Sequence, residues 1–413
     1  MLFLPFSSKL CAGLVALLVS ISLLPAAPGE PWPLGTITLN SNADPHAPPG
    51  YAIQGFTVSA PGVATSINGF MAIRHAANTP RGLLVAFTGG SGTGYWTSQM
   101  KEVYDLAEEL RAEGFTIVQV RWATSWLESS PGNRAGAARL GARPATVIHY
   151  IHETYYRPLG LAPLHPGEAG FAVTGNSGGA SQTSYALSHY GLDRIIDVAV
   201  PTGGPPHGAL AKSCMNNPAE QAYWFELRSR ESVDRGFGFF DGNGPAALHD
   251  ASYIARWELA SHSTGGTNYY HPRTRIHFIL GQRDLQMQAT AGDYHQRLKA
   301  EGTPYLAWEI APDTPHATFG TPAGRAAIKA ALLEKRPAIL GVAHQNGRMM
   351  IRWSSLEGRS YQLQFKDELT EEPWQNIGAP VTASAKASSV AVETEGADKR
   401  FYRVLLLPSP FTR

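Results

Sequence analysis

Between residues 82 and 335 the chain alternates short apolar runs with stretches of helical periodicity, and that alternation leaves few folds open. The runs are 82–87, 115–120, 171–174, 195–200, 275–281 and 306–310. Their apolar residues follow one another instead of recurring every second place, which is the pattern of strands covered on both faces. Between them, Met100, Val103, Tyr104, Ala107 and Leu110 recur at helical spacing up to Gly114, and 143–157, 178–190 and 322–335 read as further helices. Strands that alternate with helices pair in parallel through right-handed crossovers. The expected fold class is therefore α/β: a mostly parallel sheet with helices on both faces. Ahead of it, 52–59 and 67–75 read as a hairpin turning near Pro61-Gly62.

One interval breaks the rhythm. Residues 205–272 separate two expected strands by far more than a usual connection and are rich in aromatics, Trp224, Phe237, Phe240 and Trp257 among them. An aromatic insertion of that length is expected to be a functional cap. After Arg336-Pro337 the period changes to two, in Met349/Ile351/Trp353, Tyr361/Leu363/Phe365, Val390/Val392 and Tyr402/Val404/Leu406. About 75 residues of such short strands suffice for a small all-β sandwich. The expected organisation of the 413 residues is a signal peptide at 1–29, a little-structured leader at 30–50, an α/β domain at 51–336 with its cap at 205–272, and a β-sandwich at 337–413.

The N-terminus points to export. Lys9 precedes the apolar run 10–24 and the small-residue stretch 25–29, the order of a secretory signal. A retained N-terminal anchor is the rival reading, but the run is short, broken by Ser20 and Ser22 and marginal for spanning a bilayer. The expectation is a secreted, periplasmic or cell-surface location with no membrane span after signal removal. With 34 Lys and Arg against 33 Asp and Glu and no basic tract, nucleic acid is not expected as a partner. Of the two cysteines, Cys11 falls in the signal, so Cys214 reads as a lone buried thiol, with no disulfide framework or cysteine zinc site. No metal or cofactor is expected.

The residues that could do chemistry centre on Gly175-Asn176-Ser177-Gly178-Gly179, the one G-x-S-x-G string in the chain. It follows a buried strand at once and opens a helix of small residues. A sharp strand-to-helix turn with a serine at its tip needs glycines because the neighbouring backbones crowd together. The helix N-terminus favours negative charge at the Ser177 hydroxyl. A Gly-Ser turn that merely caps a helix is the plainer reading, and it leaves the preceding strand unexplained.

A serine hydroxyl needs a base, and the base an orienting carboxylate. Asp284 directly follows the run 275–281, and His316 lies between the last strand and the last helix. Both sit just beyond the carboxyl end of an expected strand, where open parallel sheets place their sites. Asp313 reads as a turn residue and Asp293 as an exposed helix residue. His207 and His271 flank the cap and are weaker candidates for touching substrate. The oxyanion of a tetrahedral intermediate needs N–H donors already in place. Gly178 supplies one, and Gly90 or Ser91, in the loop 88–94, the other. That loop lacks the Gly-Lys-Ser/Thr ending of a phosphate cradle. Trp96, Trp122 and Trp126, near the ends of earlier strands, are read either as pocket lining or as core.

On these residues, 50–335 resembles the α/β-hydrolase superfamily, through the Gly-rich loop 88–94, the elbow 175–179 and the chain order Ser177, Asp284, His316. The resemblance implies an esterase-like serine hydrolase that acts on small or polymeric carboxylic esters through an acyl-enzyme and needs no cofactor. The loop lacks the His-Gly-Gly-Gly of one lipase and esterase branch. The C-terminal part looks like the fibronectin-III-like or immunoglobulin-like sandwiches appended to secreted hydrolases, through 358–364, Trp374 and 400–404. That likeness implies a spacer or a module contacting a surface, a polysaccharide or a partner. Two other functions stand beside the esterase: a peptidase or amidase on the same triad, and a non-catalytic surface-binding protein.

Overall fold

A computed structural model describes residues 29–161, 169–334, 337–345, 348–355, 359–368, 373–385, 387–393 and 400–407. Apart from Gly29, the expected signal peptide lies outside the described residues. Three strands open the described chain: β1 (Thr36–Asn40), β2 (Ala52–Ser59) and β3 (Ile67–Arg74). Six more follow: β4 (Gly82–Phe87), β5 (Phe115–Trp122), β6 (Phe171–Asn176), β7 (Val198–Thr202), β8 (Arg275–Gly281) and β9 (Leu306–Ala311). Together they form one sheet in the order β1-β2-β3-β5-β4-β6-β7-β8-β9. The first three strands and the β3–β5 pair are antiparallel, and every pair from β5 to β9 is parallel. The chain leaves β4 toward β5 on one side and returns to β6 on the other. The connections part beyond the carboxyl ends of β4 and β6, where a doubly wound sheet opens a crevice.

The helices are α1 (Lys101–Ala112), α2 (Gly136–Leu140), α3 (Ala142–Ile151), α4 (Gly178–Ser188), α5 (Leu210–Cys214), α6 (Leu227–Gly236), α7 (Ile254–Ala260), α8 (Leu285–Ala300) and α9 (Pro322–Leu333). The continuous apolar runs are explained by the two cores they feed. Side chains of β4 alternate, with Leu83, Val85 and Phe87 joining α3, α4 and α8 on one face. Leu84 and Ala86 join α1 and α9 on the other.

Three expectations are corrected. The leader expected to have little structure holds an edge strand: Thr36–Asn40 pairs antiparallel with β2, and Trp32 packs edge-on against His189 at 5.2 Å. Prolines and glycines around it mask five alternating residues that need β2 to become a strand. The fourth parallel strand starts at Val198, because Leu192–Arg194 form a tight 3-10 turn before it. The helix expected over 143–157 is α-helical only to Ile151, and His152–Tyr156 widen into a π-turn.

The interval between β7 and β8 is ordered, with α5, α6 and α7 and several 3-10 turns. Its Phe225, Phe237 and Trp257 are buried in the same core as Trp126. The carboxylate of Asp234 accepts from the amides of Ala246 and Ala247, at 2.8 Å each, and so closes the loop after α6. Beyond α9 come β10 (Ile339–Gln345), β11 (Arg348–Ser354), β12 (Ser360–Lys366), β13 (Gln375–Thr382), β14 (Ala387–Glu393) and β15 (Phe401–Leu406). They form two three-stranded antiparallel sheets, β10-β11-β14 and β13-β12-β15, around Ile351, Trp353, Tyr361, Leu363 and Val392. Glu334 links them to the larger sheet, 3.3 Å from Arg275 and 3.2 Å from Arg359. Among the described residues, no helix is long and apolar enough to cross a membrane.

Candidate active site

Strand β6 ends at Asn176 and α4 begins at Gly178, so a single residue makes the turn between them. Ser177 makes it at φ 55°, ψ −116°, a backbone region that costs a non-glycine residue about 1–3 kcal/mol. The surroundings impose it. The Ser177 amide donates to the Thr202 carbonyl at 2.9 Å, and its own carbonyl accepts from Ser181 at 3.1 Å. The flanking glycines are required by close approach: a Cβ on Gly175 would lie 2.5 Å from the Gly179 carbonyl carbon, and one on Gly178 2.5 Å from the Gly90 oxygen. Gly175→Ala is expected to cost about 1–3 kcal/mol by overpacking, read as a lowered urea midpoint. A midpoint equal to that of the unaltered protein would show that the turn can relax.

Asp284 leads into α8 and His316 follows β9, 32 residues later, yet His316 Nδ1 and Asp284 Oδ2 are 2.7 Å apart. The carboxylate takes the Nδ1 side of the ring, which leaves Nε2 for a second partner. The carboxylate side chain is only 10% exposed and the imidazole 46%. The histidine loop is fastened to the elbow. Asn176 Oδ1 accepts from the Thr318 amide at 3.2 Å and from the Thr202 hydroxyl at 3.1 Å. Gly203, at φ 48°, lets the His316 carbonyl approach within 2.4 Å of where a Cβ would stand. Asn176 was not singled out from the sequence. It fills the variable position of the motif, and its partners lie 26 and 142 residues away.

The rival acids go elsewhere. Asp313 is 88% exposed and pairs with Arg283 at 3.4 Å. Asp293, expected as an exposed helix residue, instead anchors the segment 205–272, accepting from Lys212 Nζ at 2.6 Å and Tyr223 Oη at 2.8 Å. His271 is buried, 3.5 Å from Asp193. His207 is buried with Nδ1 3.2 Å from Tyr185 Oη, and burial pushes its pKa down to about 3. Cys214 is a free buried thiol whose pKa burial pushes up. No cluster of His, Cys, Asp or Glu among the described residues could hold a metal ion.

The loop after β4 is a tight turn closed by the Gly92 amide on the Gly89 carbonyl at 3.1 Å. Its carbonyls are all taken. Trp126 Nε1 donates to Gly90 O at 3.3 Å, the Trp126 amide to Ser91 O at 3.1 Å, and the Trp122 amide to Gly92 O at 2.9 Å. The amides of Gly90, Ser91 and Gly178 donate to nothing among the described residues, and Gly90 lies against Gly178. Trp122 and Trp126 are fully buried and Trp96 nearly so, and the first two brace this region: Trp122 Nε1 donates to Gln182 Oε1 at 2.8 Å.

A mostly parallel sheet of this strand order, with a strained serine elbow after the central strand β6, is the α/β-hydrolase fold. No protein-family model matches the sequence, and no curated protein matches it. Among solved structures the chain is similar to carboxyl esterase 2 of the mycorrhizal fungus Tuber melanosporum, with 12% identity over 71% of this chain and 87% of that one and a TM-score of 0.43. It is similar to an esterase of the archaeon Pyrobaculum calidifontis, with 14% identity over 68% and 83% and a TM-score of 0.42. It is also similar to an acylaminoacyl peptidase of Pyrococcus horikoshii, with 13% identity over 68% and 40% and a TM-score of 0.41. The fold class stands on the strand order and the elbow, and a fold of this kind hosts many chemistries.

Proposed function

We propose that the chain is an exported serine hydrolase that cleaves carboxylic esters through Ser177, His316 and Asp284. The observation that carries the reading is the 2.7 Å bond between Asp284 and His316, on a loop that Asn176 ties to the strained serine elbow. Ser177 Oγ attacks the ester carbonyl while His316 Nε2 takes its proton and Asp284 holds the ring. The oxyanion is met by the amides of Gly178 and of Gly90 or Ser91, which have no other partner among the described residues. His316 returns the proton to the departing alcohol, then activates a water that releases the acid. The segment 205–272 caps the crevice, anchored through Asp293. The C-terminal sandwich is a fibronectin-III-like appendage that contacts the surface or polymer on which the enzyme works.

The test is labelling of the purified protein with a fluorophosphonate probe, beside Ser177→Ala and His316→Ala. Labelling of the unaltered protein and of neither variant is expected, with turnover of p-nitrophenyl esters. An unlabelled, well-folded wild type would overturn the assignment, and turnover of aminoacyl amides but not esters would make the enzyme a peptidase.

A further inference from the structure

We infer that Asp44, in the N-terminal segment after β1, is a positioning residue for the oxyanion loop; the inference rests on the hydrolase reading above. Its carboxylate is fully buried and lies 51 residues in sequence from Tyr95, at the end of the loop it serves. Asp44 Oδ2 accepts from Tyr95 Oη at 2.6 Å. Oδ1 accepts from Arg121 Nη1 at 3.2 Å and from the His46 amide at 3.0 Å. Arg121 in turn donates through Nε to the Thr93 carbonyl at 2.9 Å, and its guanidinium lies over the Phe70 ring. The loop 88–95 is thus held at Thr93 and at Tyr95 by one buried carboxylate, directly and through one arginine.

The other half of the loop is held from the opposite side, by Trp126 on the carbonyls of Gly90 and Ser91. Trp126 is itself pinned by Arg143, a buried guanidinium whose Nη1 donates to the Trp126 and Glu128 carbonyls at 2.8 Å each. In a peptide unit the C=O and N–H point in opposite directions. The Gly90 carbonyl, held by Trp126, therefore turns the Ser91 amide of the same peptide unit the other way. Asp44 sets the far end of that lever. Without it Arg121 and Tyr95 lose their shared acceptor, Thr93 is released, and the glycine-rich turn regains freedom that its own sequence cannot restrain. An amide that wanders stabilises the transition state less while binding the ground state almost as well, so the loss falls on kcat.

The experiment compares Asp44→Asn, Asp44→Ala and Tyr95→Phe with the unaltered protein. Glu334→Gln serves as a control in which a buried carboxylate is neutralised beside Arg275, at the amino end of β8. Active sites are counted by fluorophosphonate titration, so that misfolded protein drops out of kcat. Expected are a fall in kcat per titrated site of about 10–100-fold in Asp44→Ala, less in Asp44→Asn, and KM within about twofold, because removing one oxyanion donor outright costs about 100–1,000-fold. The Ki of phenylboronic acid, whose tetrahedral adduct places an oxygen where the oxyanion forms, should rise in proportion. In Glu334→Gln both constants should stay put while stability falls. A wild type that labels and turns over, with Asp44 variants unchanged in kcat per site and Ki, would overturn the inference alone. A wild type that does not label would overturn the hydrolase reading and this inference with it.

Discussion

Ser177→Ala is expected to lower ester turnover by about a million-fold, the scale on which loss of a triad nucleophile acts, and to leave the fold intact. The companion variant Ser177→Gly separates catalysis from strain. At φ 55°, ψ −116° a side chain is costly and glycine is not. Set against the larger chain entropy that glycine carries in the unfolded state, removal of the strain should leave the variant about 1 kcal/mol more stable and equally inactive. Turnover and a urea titration on the same preparations check both halves. Residual activity above about one per cent in Ser177→Ala would mean that another group attacks the substrate. A Ser177→Gly protein less stable than the unaltered one would mean that the elbow stores no strain.

Acid is expected to unfold the α/β domain at a mild pH, because three histidines are buried together behind α4. His207 and His262 stack at 6.3 Å, His189 and His262 meet edge-on at the same distance, and Tyr185 lies 3.9 Å from His262. Neither nitrogen of His262 has a hydrogen-bond partner among the described residues. Burial pushes His189 and His207 down to about 3, and burial with the two neighbouring histidines pushes His262 well below its ordinary value.

An unfolded histidine titrates near 6.5, so between about 3 and 6.5 the unfolded chain binds more protons than the folded one. Stability is then fully present above pH 6.5 and is lost as pH falls, by about 1.4 kcal/mol per pH unit for each histidine and up to about 4 for the three. Asp197 and Asp234, whose carboxyls burial raises, act in the opposite sense, but only near the carboxylate range. Urea midpoints at pH 7.5, 6.5 and 5.5 should fall in that order, and His262→Phe should flatten the slope by about a third. Equal midpoints across the series would show that water or a rearrangement already solvates the rings.

Particular elements show what could be read in one dimension. The strand 275–281 is buried at every residue, as Ile276, Phe278, Ile279 and Leu280 indicate in the sequence, whereas the burial of Arg275 and His277 needs their partners Glu334 and Glu309. Strand β1 was missed because its five residues gain their structure from pairing with β2, about 20 residues later. Asp293 was misread because an acid on an amphipathic helix looks solvated until Lys212 and Tyr223 are folded onto it. The brace of Asp44 on Tyr95 and Arg121 has no sequence signature, for an isolated aspartate in a Pro-rich stretch could equally cap a turn.

The sequence by itself determined the layered α/β core and the serine elbow. Hydrophobic periodicity and the crowding that demands Gly175, Gly178 and Gly179 are local properties, read within one strand, one turn and one helix. The tertiary structure alone brought Asp284 against His316, tied the histidine loop to the elbow through Asn176, and set Asp44 against Tyr95. Those are hydrogen bonds and ion pairs between residues 32, 142 and 51 positions apart. Their strength depends on ångström distances that chain order does not encode until the sheet has brought the loops together.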